Sequence, residues 1–163
     1  RLVLHVRAAA APDDPRAEQR LGWARALFDT AVREGWAVDG ADGFVYTVDF
    51  DGRPVVRNRL HWVLAEAIAA AAALWRATGE EQYARWQARW WDHAEAAFID
   101  RVDGSWRHEL DPANRPTAQG TWPGKPDAYH AVQAALLPLL PLAPSIAFAL
   151  GRIDGHSAFA STV

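Results

Sequence analysis

The sequence predicts an all-α fold built from two layers of helices, part of an α/α barrel, with short β-hairpins in the loops over one rim. Three features dictate it. Segments with apolar residues at helical spacing dominate the chain. These segments alternate in character: 60–78 and 126–138 are apolar nearly all round, whereas 80–99 keeps a charged face. Buried helices alternating with half-exposed ones imply an inner and an outer layer. Between the helices a loop pattern recurs. Asp42-Gly43 and Asp103-Gly104 each open an extended arm, Arg53-Pro54 and Arg115-Pro116 each close a turn, and a histidine follows at His61 and His130. The unit repeats roughly every 60 to 70 residues, longer than the common solenoid periods.

The first segment, RLVLHVRAAAAP, has the basic residue and apolar patch of a leader, but His5 and Arg7 interrupt it, and it reads as the end of a helix. Asp14 and Pro15 start the next helix, the acid as N-cap and proline at the first position. Leu21, Ala24, Leu27, Phe28, Ala31 and Val32 carry that helix to about Glu34. Phe44, Tyr46 and Val48 then alternate toward an Asp51-Gly52 turn, the mark of a hairpin. A helix from about Leu60 to Thr78 ends at Gly79. Thr78 and Glu81 have the spacing of a capping box for a helix from about Glu80 to Ile99, striped by Tyr83, Trp86, Trp90, Ala94 and Ala97. A second arm, DGSWRHELDPANRPTAQGTWPG, leads to a helix beginning near Pro126. Pro138, Pro141 and Pro144 break it and leave room for a short helix after Ser145. Residues 1–163 read as a single domain with 151–163 as a tail.

Composition narrows the function. The chain of 163 residues is long enough for a substantial core. Its net charge of -3 gives no reason to expect nucleic acid or an anionic membrane as partner. The longest apolar run, Val63 to Trp75, is short for a bilayer and interrupted by Glu66. The absence of cysteine suits a reducing cytoplasm, the expected location. Core packing is the expected role for most of the nine tryptophans, with sugar stacking as the other use of so flat and amphipathic a ring.

The chemistry concentrates in GKPDAYHAVQAALLP, residues 124–138. On a helix, Asp127, His130 and Gln133 share a narrow polar strip while the remaining faces are apolar. Such a strip must face something polar, because an unpaired buried polar group costs about 1 to 3 kcal/mol. Two roles for His130 stand side by side: tying down the preceding loop, or acting as a general acid/base. Its place in the first helical turn, near the positive end of the dipole and near Lys125, opposes imidazolium and favours a neutral ring able to take a proton, while Asp127 pulls the other way. Other chemistries are weaker. No glycine-rich phosphate loop is present, His61 and Glu66 do not have zinc-ligand spacing, and no serine sits in a nucleophile elbow. Glu66, Glu109, Asp111 and Asp127 could supply the carboxylate pair of a glycosidase.

With these residues in hand, the chain resembles the N-acylglucosamine 2-epimerase superfamily of sugar epimerases and isomerases. The resemblance rests on RLHWVLAEAIAAAAALWRATGEEQY, FIDRVDGSWRHELD and GKPDAYHAVQAALLPLLP. It implies the C-terminal portion of an (α/α)6 barrel and a reaction that needs neither cofactor nor metal. The family moves the C2 proton of a sugar with two histidines. One, in a Tyr-His pair, matches Tyr129-His130; the other belongs to a His-x-x-Glu motif that His5 does not fit, which implies that the 163-residue chain alone is inactive. The GKPDAYH form with Gln133 following is similar to the aldose–ketose isomerase branch. The resemblance therefore implies interconversion of an aldohexose and its ketose, of the mannose/fructose type, through a cis-enediolate, with His130 catalytic. Trp62 matches a tryptophan of the sugar pocket, Glu66 lies one turn further along, and Trp122, Lys125 and Gln133 complete the expected substrate contacts. A 2-epimerase on the same scaffold is the nearest alternative, followed by an α/α-barrel glycosidase or a noncatalytic sugar-binding module. The expected partner is a monosaccharide, and a homo-oligomer is compatible with the sequence.

Overall fold

A computed structural model describes residues 1–157 apart from 12, 118, 119 and 123, with side chains to residue 152. The chain is mainly helical. Its elements are α1 (Leu2–Ala9), α2 (Ala17–Gly35), β1 (Thr47–Val48), β2 (Pro54–Val56), β3 (Arg59–Leu60), α3 (His61–Thr78), α4 (Glu81–His93), β4 (Glu109–Leu110), α5 (Tyr129–Leu136) and α6 (Ile146–Ser157). A π-turn over Ala94–Phe98 continues α4, and a 3-10 turn over Leu137–Leu139 continues α5. No helix among the described residues is long and apolar enough to cross a membrane.

The packing centres on α3, whose run of small residues lets neighbours approach closely. Leu64, Ala65, Ile68, Ala69, Ala71, Ala72, Ala73 and Leu74 are all buried. Against it lie α4 and α5, with α1 and α2 completing the contacts. Behind α3, Phe28 of α2 meets Tyr83 and Trp90 of α4 at 5.2 and 5.5 Å between ring centres. The described residues thus form a helical assembly around α3; they do not form a closed ring. Among the tryptophans, Trp36, Trp90 and Trp106 are core residues, while Trp23, Trp75 and Trp122 are exposed. Trp86 and Trp91, partly buried, pack against the same core, so five of the nine serve it, as expected.

Local differences have physical reasons. Asp14 accepts the Arg16 N–H at 2.9 Å, so the acid closes a turn just before α2 and the helix starts at Ala17. The Thr78/Glu81 capping box does not form: Thr78 is the last residue of α3, where its hydroxyl donates to the Leu74 carbonyl. Gly79, at φ 72, ends α3 as expected. Helix α5 begins at Tyr129, three residues beyond Pro126, so Asp127 precedes it and accepts the Tyr129 N–H at 2.9 Å. Nor is α5 buried all round: Tyr129 and Val132, with Leu139 in the 3-10 turn beyond, are exposed, and its inward face is Gln133 and Ala134. Ser145 caps α6 by accepting the Phe148 N–H at 3.1 Å, and α6 runs to Ser157, into the segment expected to be a tail. Residues 158–163 lie outside the described residues.

The two rim arms repeat one turn in detail. Asp49 accepts the Arg53 N–H at 2.8 Å, and Asp111 accepts the Arg115 N–H at 2.9 Å. The reciprocal Asp N–H to Arg carbonyl bond is 2.9 Å in both. The first arm closes as a hairpin of β1 with β2, and the second closes through a single antiparallel bridge between Leu110 and Pro116. The second also lends β4 to β3, pairing Arg59 with Leu110 and Leu60 with Glu109. That ladder joins the arms at the mouth of α3.

Candidate functional site

Strand β3 runs directly into α3, so the β3–β4 ladder sets the direction in which His61 and Trp62 leave the rim. Its foundation is a buried ion pair. Arg59 Nη2 donates to Asp39 Oδ1 at 2.7 Å, and the two side chains are 1% and 2% exposed. Arg59 also donates to the carbonyls of Asp42, Ala41 and Pro112, which ties both arms to one guanidinium. Burial pushes the Asp39 carboxyl up, but hydrogen bonds from Arg59 and Arg57 outweigh it and hold the group below the usual carboxylate range. Gly43 passes so close that a Cβ there would lie 2.7 Å from Arg59 Nε, and its φ of 109 suits glycine alone.

On this base stands a compact cluster. His130, second residue of α5, places Nδ1 3.1 Å from Glu66 Oε1, one turn into α3. Arg1 Nη2 lies 3.0 Å from Glu66 Oε1 and 2.8 Å from Oε2, and Arg1 Nη1 donates to Gln133 Oε1. The His130 and Glu66 side chains are 28% and 29% exposed, open enough to be reached and enclosed enough to be oriented. A carboxylate at Nδ1 selects the tautomer with its proton on Nδ1, leaving the lone pair of Nε2 for chemistry. Among the described residues, the His130 ring thus answers to the Glu66 side chain. Trp62 stands 5.9 Å from it, tilted 37°, and Tyr46 meets Trp62 edge-on at 6.0 Å.

A chain of histidines extends from His130. The His61 ring lies 6.1 Å from His130 and 5.0 Å from His108, and Trp122 stacks on His108 at 5.2 Å and 18°. Two cavities flank the cluster. One of about 340 Å³ ends at Arg1 and Glu66 and is walled by Leu27, Phe28, Val63 and Trp90. The other, about 420 Å³, is bounded by His108, Glu109, Trp122 and Lys125. Glu109 is buried and fastens the loop that carries Trp122, accepting the Thr121 N–H at 2.6 Å and the Asn58 amide at 2.5 Å. Burial raises its pKa, yet those bonds more than compensate and leave the carboxyl below its usual range.

The structure therefore brings together His130, Trp62, Glu66 and Gln133. Among the described residues, Trp122 joins them through His108. Lys125 stands apart, paired with Asp100 at 2.5 Å, and holds that carboxyl well below the ordinary range. Sequence reasoning passed over Arg1, His61 and His108. For His61 a signal existed, a His-Trp pair at the start of an otherwise apolar helix; for Arg1 there was none.

Known proteins bear on this arrangement. Residues 1–134, which include His130 and Gln133, match the family model for N-acylglucosamine 2-epimerase (GlcNAc 2-epimerase). A D-mannose isomerase of Thermobifida fusca is 58% identical over 153 residues, covering 94% of this chain and 37% of its own length. A D-mannose isomerase of Pseudomonas cannabina pv. alisalensis is 55% identical over 157 residues, with the same coverages of 94% and 37%. Among solved structures, a D-mannose isomerase matches at a TM-score of 0.73 and 28% identity, covering 85% of this chain and 34% of that one. Cellobiose 2-epimerase from Bacillus thermoamylovorans B4167 shares the fold, at a TM-score of 0.66 and 11% identity over 83% of this chain and 35% of that one. The chain spans little more than a third of the length of these relatives.

Proposed function

The chain belongs to the N-acylglucosamine 2-epimerase family, and from that premise we propose that the protein is a sugar isomerase. It interconverts an aldohexose and its ketose, of the mannose/fructose type, on the rim of an (α/α)6 barrel of which this chain supplies one portion. The observation that carries the reading is the contact of 3.1 Å between His130 Nδ1 and Glu66 Oε1, with Trp62 beside the ring. The D-mannose isomerases at 58% and 55% identity support the choice of sugar.

His130 acts in the open-chain sugar. Its Nε2 takes the proton from C2, the C–H electrons form the C1–C2 double bond, and the carbonyl oxygen becomes the oxyanion of a cis-enediolate. Return of the proton to C1 on the same face, with the O2 hydroxyl proton passing to O1 and the C2 oxygen becoming the carbonyl, gives the ketose. Glu66 stabilises the imidazolium formed in between and fixes the ring's tautomer. Arg1 holds the Glu66 carboxylate aimed at the ring, and Trp62 with Tyr46 forms an apolar wall for the sugar carbons.

The test is proton NMR of D-mannose with the full-length protein in deuterated water. Wild type yields fructose with deuterium at the transferred position, and His130→Ala lowers both turnover and exchange by about 10²- to 10⁴-fold. Near-wild-type turnover in that variant would remove His130 from the chemistry. The family description favours one second reading, a 2-epimerase; its product is the C2-inverted aldose, formed by proton return on the opposite face.

A further inference from the structure

We propose that His61 is a sugar-contacting residue of this site, its Nε2 accepting a hydrogen bond from a hydroxyl of the bound aldose; the proposal rests on the isomerase reading above. The ring's tautomer follows from its partners. The His108 carbonyl receives both the backbone N–H and the ring Nδ1 of His61, each at 3.1 Å. A carbonyl can only accept, so Nδ1 carries the proton and Nε2 of the neutral ring is a lone-pair acceptor. Burial pushes the pKa of His61 down, against the pull of the His108 carbonyl, which keeps the ring in that neutral form.

The residue is 3% exposed, and Nε2 is fully buried with no hydrogen-bond partner among the described residues. Native structures pair the large majority of such atoms. The donor that completes this one must reach a ring 6.1 Å from the His130 imidazole and adjacent in sequence to Trp62. An aldose held against Trp62 with C2 at His130 presents a fan of O–H donors in that space. The rival donor is His108 Nδ1, also buried and unpartnered, which a single water could link to His61 without any sugar.

Two variants separate the nitrogens. In His61→Asn the amide keeps a donor for the His108 carbonyl but loses the ε acceptor; in His61→Gln the side-chain oxygen reaches the ε position. Binding is measured on the full-length protein with D-mannose and its 3-, 4- and 6-deoxy analogues. Wild type discriminates against one analogue by about tenfold, His61→Asn binds D-mannose about tenfold more weakly and no longer discriminates against that analogue, and His61→Gln stays within about threefold of wild type. Equal losses across all analogues in His61→Asn, or none, overturn the contact and leave the water link to His108 as the role of Nε2. Failure of wild type to bind or isomerise D-mannose overturns the isomerase reading itself, and this proposal with it.

Discussion

At the scale of single residues the decisive object is Glu66, because one carboxylate serves two partners of different kinds. Arg1 approaches both oxygens while His130 Nδ1 meets Oε1. An amide there cannot satisfy both. In Glu66→Gln the guanidinium claims the amide oxygen, the NH₂ turns toward His130, and the imidazole must present Nδ1 as an acceptor. The proton then moves to Nε2 and the base is lost. Glu66→Gln should lower kcat about 100-fold or more while KM for the sugar changes little, as steady-state kinetics on the full-length protein will show. An unchanged kcat removes the tautomer role. This part of the site was legible in sequence because His130, Gln133 and Glu66 break otherwise apolar helices, and polar atoms there need partners. Arg1 was not legible: it meets Gln133 from 132 positions away, and no periodicity reports a contact of that range.

Among the elements, the rim arms decide how well the site is held. The recurring Asp-Gly and Arg-Pro signals identified both arms, and the matching Asp49–Arg53 and Asp111–Arg115 turns show the same local chemistry at work. The pairing between arms was hidden, because two-residue strands from separate loops carry no alternation to read. The start of α5 was hidden for a similar reason: Asp127 looks like part of the helix on a wheel, yet its carboxylate closes the turn before it. The consequence is concentrated at Asp39 and Arg59. Removing one partner of a buried pair leaves the other uncompensated, so Asp39→Asn should destabilise by about 3 to 5 kcal/mol in urea unfolding. Gly43→Ala, which forces a Cβ onto Arg59 at a φ of 109, should cost at least ~2 kcal/mol and weaken sugar binding as well. A neutral Gly43→Ala would mean that the arms tolerate a displaced Arg59.

For the whole molecule, the deep burial of α3 beside a half-exposed α4 was legible, whereas the outward face of α5 was not. Tyr129, Val132 and Leu139 are as apolar as core residues, and sequence alone does not say on which side a neighbour lies. Charge supplies a property of the fold as a unit. Burial holds His61 and His93 below their ordinary value of 6.5, so the unfolded chain binds protons more readily than the folded one as pH falls through that value. Hydrogen bonds lower Asp14 to about 2, and partners lower Asp39, Asp100, Glu109 and Asp111. Those groups contribute stability that is present above the usual carboxylate range and lost below it. Both sets have the same sign, because stability rises with pH wherever the unfolded state holds more protons. The urea midpoint should decline once pH drops below about 6.5, and fall more steeply below about 4. His93→Phe, in a pocket where the ring already packs at 5.4 Å from Trp36 and 6.0 Å from Phe98, should shrink the upper step and leave the lower one intact. A midpoint that rises between pH 7 and pH 5 would show that these histidines are stabilised by protonation, the reverse of what their burial dictates.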